Sequence, residues 1–327
     1  MNGSAGRSPD APFEVVTMGR VGVDIYPEQI GVGLDAVRSF GKFLGGSPTN
    51  VAVAAARYGR RSAVVTRTGE DSFGSFVHQA LRGFGVDDRF VTPVAGLPTP
   101  VTFCEIYPPD AFPLYFYGRD PSAPDLQVRA DELDLDAIAA ADVFWVTVTG
   151  LCQEPSRTAT LEALRARGRR GTTIIDLDYR PMFWSSRAEA RRCVAEALPY
   201  ATVAAGNLDE WETAVGVRDP QAAAKAGRDA GIGLAVVKQG PEGVLAVDDT
   251  GEVRVPPVPV EVVNGLGAGD AFGGALCHGL LSGWDTERVM RFANAAGAIV
   301  ASRLSCSDAM PTSDEVEAKL EEAVHVR

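Results

Sequence analysis

The chain has little from which to build a disulfide framework or a metal knuckle. Its five cysteines, Cys104, Cys152, Cys193, Cys277 and Cys306, are odd in number, scattered, and lack any Cys-x-x-Cys pair. A stapled scaffold is excluded, and reduced thiols in the cytoplasm fit best. His78, His278 and His325 are the three histidines, without metal-ligand spacing, and are expected at the surface or in packing. No apolar run approaches the ~20 residues of a membrane span, and Met1 to Pro12 lacks the basic and apolar regions of a signal peptide. Residues 1–12 therefore read as a flexible tail, with no membrane partner. Basic charge is also scarce: 31 Lys and Arg stand against 43 Asp and Glu, for a net charge of −12. With no segregated basic patch, nucleic acid is not an expected partner. GxxxxGK[ST] is missing, and the first apolar run leads into Gly19-Arg20-Val21-Gly22 rather than GxGxxG. Neither a Walker-type nor a standard dinucleotide unit is supported.

What is present is a chain of 327 residues, 46% hydrophobic, enough for one large α/β unit. Phe13 to Gly19 reads as a buried strand. Two segments, Val21 to Gly46 and Pro98 to Ala123, alternate in character and read as strands leaving the main sheet, the second as a pair (VTFCEIY, PLYFY) turning at Pro108-Pro109-Asp110. Elsewhere strands alternate with helices: helices at Pro48 to Tyr58, Ser72 to Gly83, Asp131 to Ala141, Pro155 to Arg167, Arg187 to Ala197, within 208–231, and at 269–282, 286–301 and 313–323. Strands are expected at Ala63 to Arg67, Val143 to Val148, Thr172 to Asp176, Ala201 to Ala205 and Leu234 to Lys238, with edge strands at Val244 to Val247 and Glu252 to Val255. This rhythm demands right-handed crossovers and a mostly parallel sheet covered on both faces, with ligands at the carboxyl ends of its strands.

The densest chemistry is Asn264-Gly265-Leu266-Gly267-Ala268-Gly269-Asp270-Ala271-Phe272, just before a small-residue helix. Its glycines free backbone N–H groups to converge, and the helix start adds positive potential, so developing negative charge can be held there. A carboxylate beside such a hole, Asp270, can take a proton from an attacking hydroxyl. A tight turn with Asp270 complementing the helix dipole explains the same residues equally well. Gly45-Gly46-Ser47-Pro48-Thr49-Asn50 offers a close backbone approach and an amide for a sugar hydroxyl, or a turn with proline at a helix start. Asn207-Leu208-Asp209-Glu210 can place a carboxylate by a Mg²⁺ water shell, or is a capping box. Lys238-Gln239-Gly240-Pro241-Glu242-Gly243 is a close approach to a nucleotide, or a hairpin turn.

In order, GGSPTN (45–50), GNLDE (206–210), KQGPEG (238–243) and NGLGAGDAF (264–272) resemble the ribokinase-like (PfkB) family of carbohydrate kinases. The resemblance runs from Phe13 to about Ala323. It implies an α/β fold: a ribokinase-like three-layer sandwich with a mostly parallel central sheet, one domain over 13–327 with a small β-sheet lid from about 21–45 and 98–123, dimerising through that lid. It implies ATP and Mg²⁺ as cofactors, Asp270 as catalytic base, Gly267, Ala268 and Gly269 as anion hole, and Glu210 at the metal. Asp24, Gly45, Gly46 and Asn50 fall on sugar-binding positions, and Asn207, Lys238, Gly240, Gly243 and Asn294 on nucleotide positions. Family members commonly carry Asp-Thr-x before GAGD, whereas this chain has Asn264-Gly265-Leu266, which leaves potassium an open cofactor.

Asp176 to Trp184 (DLDYRPMFW) is similar to the D-x-N/D-x-R-P-x-x-W element of the sugar-acid kinases in that family, and Tyr117 to Ala123 (YGRDPSA) to their lid element. Both place an arginine at the pocket. A guanidinium forks onto a carboxylate, so Arg119 and Arg180 are the expected partners for an acid substrate. A structural ion pair for Arg180 and a solvated loop position for Arg119 are the alternatives. The implied activity is phosphorylation of the C6 hydroxyl of a keto-deoxy sugar acid. Two such acids share the carboxylate and the hydroxyl, so the arginines do not separate them. A neutral-sugar kinase and a non-catalytic sugar-acid sensor are the rivals, and the complete GAGD speaks against the sensor.

Overall fold

The computed structural model describes residues 12–325. The expected tail therefore lies outside the described residues, except Pro12. Thirteen strands and ten α-helices follow. Strands β1 (Val15–Met18), β4 (Ser62–Gly69), β5 (Val91–Val94), β8 (Val143–Thr147), β9 (Thr172–Asp176), β10 (Val203–Asn207), β11 (Leu234–Lys238), β12 (Val244–Asp248) and β13 (Gly251–Val255) form one sheet in the order β13-β12-β11-β10-β9-β8-β1-β4-β5. Seven of these strands run parallel, and β12 and β13 return antiparallel at one edge. A separate four-stranded sheet, β3-β2-β6-β7, is built from β2 (Gly22–Pro27), β3 (Phe40–Gly45), β6 (Val101–Cys104) and β7 (Leu114–Tyr117). The two segments expected to leave the main sheet do so and pair with each other, β2 lying parallel to β6.

Successive strand residues point to opposite faces, and both faces are covered. On β8, Val143 and Trp145 join one apolar core while Phe144 and Val146 join the other. The first core packs under α1 (Ser47–Arg57), α2 (Ser72–Gly83), α8 (Ala268–Leu281), α9 (Thr286–Ala301) and α10 (Ser313–His325). The second lies under α3 (Leu135–Ala140), α4 (Ser156–Arg167), α5 (Arg187–Ala197), α6 (Leu208–Val215) and α7 (Pro220–Asp229). His278 stacks among Tyr58, Trp284 and Phe292, and His78 pairs with Asp88, the packing and surface roles expected of them. Among the described residues no helix is long and apolar enough to cross a membrane.

Two elements depart from expectation. The helix read over Asp131 to Ala141 is split into a 3₁₀ turn at Ala130–Glu132 and a short α3, because Asp134 caps the latter by accepting from the Ala137 N–H at 2.9 Å. Strand β5 was not anticipated. It is a short, largely exposed edge strand containing Pro93, where a missing N–H is tolerated, and such a segment carries little hydrophobic signal.

One contact sets the position of the site. Helices α1 and α8 touch at glycines: a Cβ on Gly273 would lie 2.6 Å from the Trp145 ring, and one on Gly274 would overlap Ala54 of α1. Gly274→Ala is therefore a test with a sign. Helix propensity alone gives stabilisation of about 0.5–1 kcal/mol, whereas overpacking predicts a loss of about 1–3 kcal/mol. We expect the loss, read as a lower urea midpoint at unchanged m-value.

Candidate active site

The carboxyl edge of the main sheet gathers most of the charged side chains that matter. Arg20 follows β1, Asp176 ends β9 with Asp178 and Arg180 just beyond, Asn207 ends β10, and Lys238 ends β11. The two helices that meet at Gly274 begin at the same edge. Each opens on a glycine at positive φ, Gly46 (102°) for α1 and Gly267 (81°) for α8. Larger residues are excluded there: a Cβ on Gly46 would strike the Arg20 carbonyl, and one on Gly267 would lie 2.6 Å from Cys306 Sγ. A Cβ on Gly45 would fall on the Asp24 carboxylate.

Asp270, in the first turn of α8, is held at both oxygens by α1. Ser47 Oγ donates to Oδ1 at 2.8 Å and Asn50 Nδ2 to Oδ2 at 2.7 Å. Asn50 is turned that way because Ser307 Oγ donates to its Oδ1 at 2.6 Å. The Asp270 carboxyl rises above the usual carboxylate range through burial, which the bonds from Asn50 and Ser47 only partly oppose. Beside it lie the first N–H groups of α8, which have no intrahelical acceptor. A Cβ on Gly269 would lie 3.5 Å from Lys238 Nζ, so an ammonium flanks that helix start.

Asp270, Asn50, Gly46 and Gly267 line a narrow cavity of about 60 Å³ with Arg20, Arg180, Asp24 and Tyr26. The small sheet supplies its roof through Asp24, Thr102, Leu114 and Phe116. Tyr26 donates to Asp24 Oδ2 at 2.9 Å, and its oxygen lies 2.9 Å from Cys306 Sγ. Since the phenol has one proton and the carboxylate can only accept, the thiol donates to Tyr26. Burial pushes the Asp24 carboxyl up to about 6. Beside the cavity Asp178 accepts from Arg20 Nη2 at 3.0 Å and sits 2.8 Å from Arg180 Nη2. Burial alone would raise the Asp178 carboxyl, but Arg180 and Arg20 hold it below its ordinary value. Neighbouring Asp176 is raised, by burial and by Asp178, Glu210 and Asp270, against the opposing charge of Lys238.

The site residues expected from sequence divide into two groups. Asp24, Gly45, Gly46, Asn50, Arg180, Gly267, Ala268, Gly269 and Asp270 come together at the cavity or border it. Arg119 does not. Both its Nη atoms bond the buried Asp125 at 2.8 Å, and its guanidinium lies 4.8 Å from the Phe183 ring centre, behind the cavity. Its expected place at the pocket is thus corrected: a carboxylate six residues away has claimed it. Asn207 and Glu210 form the capping box of α6, with Glu210 Oε2 accepting from the Asn207 N–H at 2.7 Å and Asn207 Oδ1 from the Glu210 N–H at 2.9 Å. This leaves Glu210 Oε1 outside the box. Gly243 and Asn294 both fasten the segment after β13: a Cβ on Gly243 would meet Val255 and Pro256, and Asn294 Nδ2 donates to the Pro256 carbonyl at 3.0 Å. Gly240, at φ 57°, faces open space. Asn264, the departure from the family pattern, is fully buried, with Nδ2 on the Leu304 carbonyl and Oδ1 on the Leu266 N–H. Its amide is hydrogen-bonded to backbone at both ends.

The edge as a whole fits a divalent cation. Asp24, Asp176, Asp178, Glu210 and Asp270 outnumber Arg20, Arg180 and Lys238. Among the described residues no three His, Cys, Asp or Glu side chains are grouped to hold a metal by themselves. Mg²⁺ needs no such group, since it keeps several waters and takes one or two carboxylates plus phosphate oxygens. Sequence reasoning passed over Ser47, Arg20, Asp176, Asp178 and Ser307 as site residues. For Arg20 a signal existed, its position at the carboxyl end of the first parallel strand.

Comparison with known proteins agrees with this architecture. The family model described as pfkB family carbohydrate kinase matches residues 13–313. The chain is 33% identical over 313 residues to the 5-dehydro-2-deoxygluconokinase of Geobacillus thermodenitrificans (strain NG80-2), covering 94% of this chain and 92% of that one. It is 31% identical over 316 residues to the enzyme of the same name from Bacillus subtilis (strain 168), covering 94% and 96%. The crystal structure of aminoimidazole riboside kinase from Salmonella enterica, complexed with aminoimidazole riboside and an ATP analog, superposes with a TM-score of 0.78 at 28% identity, over 94% of this chain and 99% of that one.

The burial of Asp24 has a cost that can be measured. The folded state keeps the Asp24 proton up to about pH 6, against 3.8 for the free side chain. The fold therefore loses stability as pH rises through that window, by at most about 3 kcal/mol. Asp24→Asn should raise stability at pH 8 by roughly 1–3 kcal/mol and change it little at pH 3.5, as followed by urea titration at both pH values. An equal effect at both would remove the charge of Asp24 as the cause.

Proposed function

Because the chain belongs to the pfkB family of carbohydrate kinases, we propose that it is an ATP-dependent kinase of 5-dehydro-2-deoxy-D-gluconate, phosphorylating the C6 hydroxyl in inositol catabolism. The observation that carries this reading is one cavity lined together by a carboxylate held ready at the start of α8 and by two guanidinium groups. Asp270 accepts the C6 proton. Its two oxygens are fixed by Ser47 and Asn50, and burial keeps its carboxyl basic enough for the task. The first N–H groups of α8 and the Lys238 ammonium face the charge that builds on the phosphoryl oxygens during transfer. Arg180 takes the substrate's acid end; its Nε is buried without a hydrogen-bond partner among the described residues. Mg²⁺, when bound, neutralises phosphate charge and orients the phosphoryl group, and Glu210, through Oε1 and water, with Asp176 nearby, would hold it. The small sheet acts as a lid, closing over the sugar with Asp24 and Phe116 and excluding water.

The expected setting is the cytoplasm, in keeping with five unpaired cysteine thiols. The lid's outer side carries exposed Phe40, Tyr115 and Tyr117, and Phe40, Phe103 and Tyr117 pack edge to edge. An aromatic patch of this kind suits a homodimer formed lid to lid. Analytical ultracentrifugation should give twice the chain mass for wild type and a shift toward the monomer for Tyr117→Asp; a wild-type monomer at micromolar concentration would end this part of the reading.

The deciding experiment for the activity is ADP release with a panel of 5-dehydro-2-deoxygluconate, 2-keto-3-deoxygluconate, fructose, ribose and adenosine. Turnover is expected with the first, and Asp270→Asn should lower kcat by about 10²–10⁴-fold with KM little changed. Preferred turnover of a neutral sugar would replace the sugar-acid reading, and binding of the acid without ADP release would make the protein a sensor.

A further inference from the structure

Arg20 is the cationic residue of the cavity to which the sequence assigns nothing, and it is built as a binding group. Only 9% of it is exposed, and its Nε is buried without a hydrogen-bond partner among the described residues. An unpartnered buried donor on a charged group is costly, and of the four arginine Nε atoms so placed among the described residues, those of Arg20 and Arg180 belong to side chains that line the cavity. Its backbone is anchored by Thr49 Oγ1, which donates to the Arg20 carbonyl at 2.9 Å, and the close approach of Gly46 to that carbonyl needs a glycine. Its side chain is oriented by Nη2 on Asp178 Oδ2 at 3.0 Å. Asp178 holds Arg180 through its other oxygen, at 2.8 Å.

One buried carboxylate thus sets two guanidinium groups side by side on the same cavity wall, and the trio keeps one net positive charge. Arg119, in contrast, is neutralised by a bidentate Asp125 outside the cavity. Of the other ionisable groups on the cavity lining, Tyr26 and Cys306 are kept neutral by burial, and the carboxyls of Asp24 and Asp270 repel an anion when charged. We propose that Arg20, paired with Arg180 across Asp178, binds the carboxylate of the acid substrate and supplies the second guanidinium of that site. This rests on the sugar-acid kinase reading and assigns to Arg20 the place that Arg119 was expected to take. A fork made by two arginines discriminates an acid from a neutral sugar through charge-assisted hydrogen bonds, which a ketose cannot form.

The charge of Arg20 also acts on Asp24 and Asp270, so the test must separate carboxylate binding from tuning of the base. Steady-state kinetics and calorimetry with 5-dehydro-2-deoxygluconate and its neutral C1 carboxamide do this. Arg20→Ala should raise KM and Kd for the acid by about 10- to 100-fold and leave both nearly unchanged for the carboxamide, with any change in kcat shared by the two substrates and smaller than the change in KM for the acid. Arg20→Lys, which keeps a cation beside Asp178 but loses the fork, should recover part of the acid affinity, and Arg180→Ala should show the same acid-selective loss. Equal losses for acid and carboxamide, or a fall in kcat at constant KM, would overturn the assignment in favour of a structural or base-tuning role. Arg20-dependent binding of the acid without ADP release would sustain Arg20 while removing the kinase reading; no binding of the acid to wild type removes both.

Discussion

The geometry of this protein depends on how closely α1 can approach α8. Gly273 and Gly274 leave no side chain between α8 and the surfaces of Trp145 and Ala54, so the two helices start from one point at the edge of the sheet. Only at that separation can Ser47 and Asn50 reach both oxygens of Asp270. The same approach forces the chain into each helix through positive φ, which glycine alone adopts cheaply. The four glycines around Asp270 therefore serve two purposes, close packing on the inner side of α8 and an open N-terminus on the outer side.

Electrostatics divides the site into regions with distinct tasks. Five carboxylates at one sheet edge would not tolerate one another unless their environments differed, and they do. Asp178, clasped by two arginines, stays ionised and acts as a brace. Asp176, buried and beside like charge, resists ionisation, and Asp270 is raised by burial that two neutral donors partly offset. This divergence of neighbouring acids is the mark of a site organised for proton and phosphate chemistry rather than for stability. The cost is visible in Asp24, which would fold more comfortably uncharged.

Much of this was legible in the chain itself. The βα rhythm predicted the parallel sheet, the two interrupting segments predicted the small second sheet, and the GAGD and GGSPTN motifs marked the residues that meet at Asp270. Errors fell where a local signal was weak or had two meanings. Strand β5 is an edge strand with a proline and few apolar residues. The capping box of Asn207 and Glu210 was recognised as an alternative from spacing, and it is formed. Arg119 is expected at the pocket and instead pairs with Asp125, six residues away.

Sequence alone determined the fold class and the position of the carboxylate at a helix start, because periodicity, glycine placement and short motifs act over a few residues. Tertiary structure alone decided which carboxylate each cavity arginine pairs with. Arg20 and Asp178 are 158 residues apart, and Asn50 and Asp270 are 220 apart. No local pattern encodes such pairings. They arise because parallel strands with their crossovers bring distant carboxyl ends to one edge, where a guanidinium bonds to whichever carboxylate the packing sets within about 3 Å.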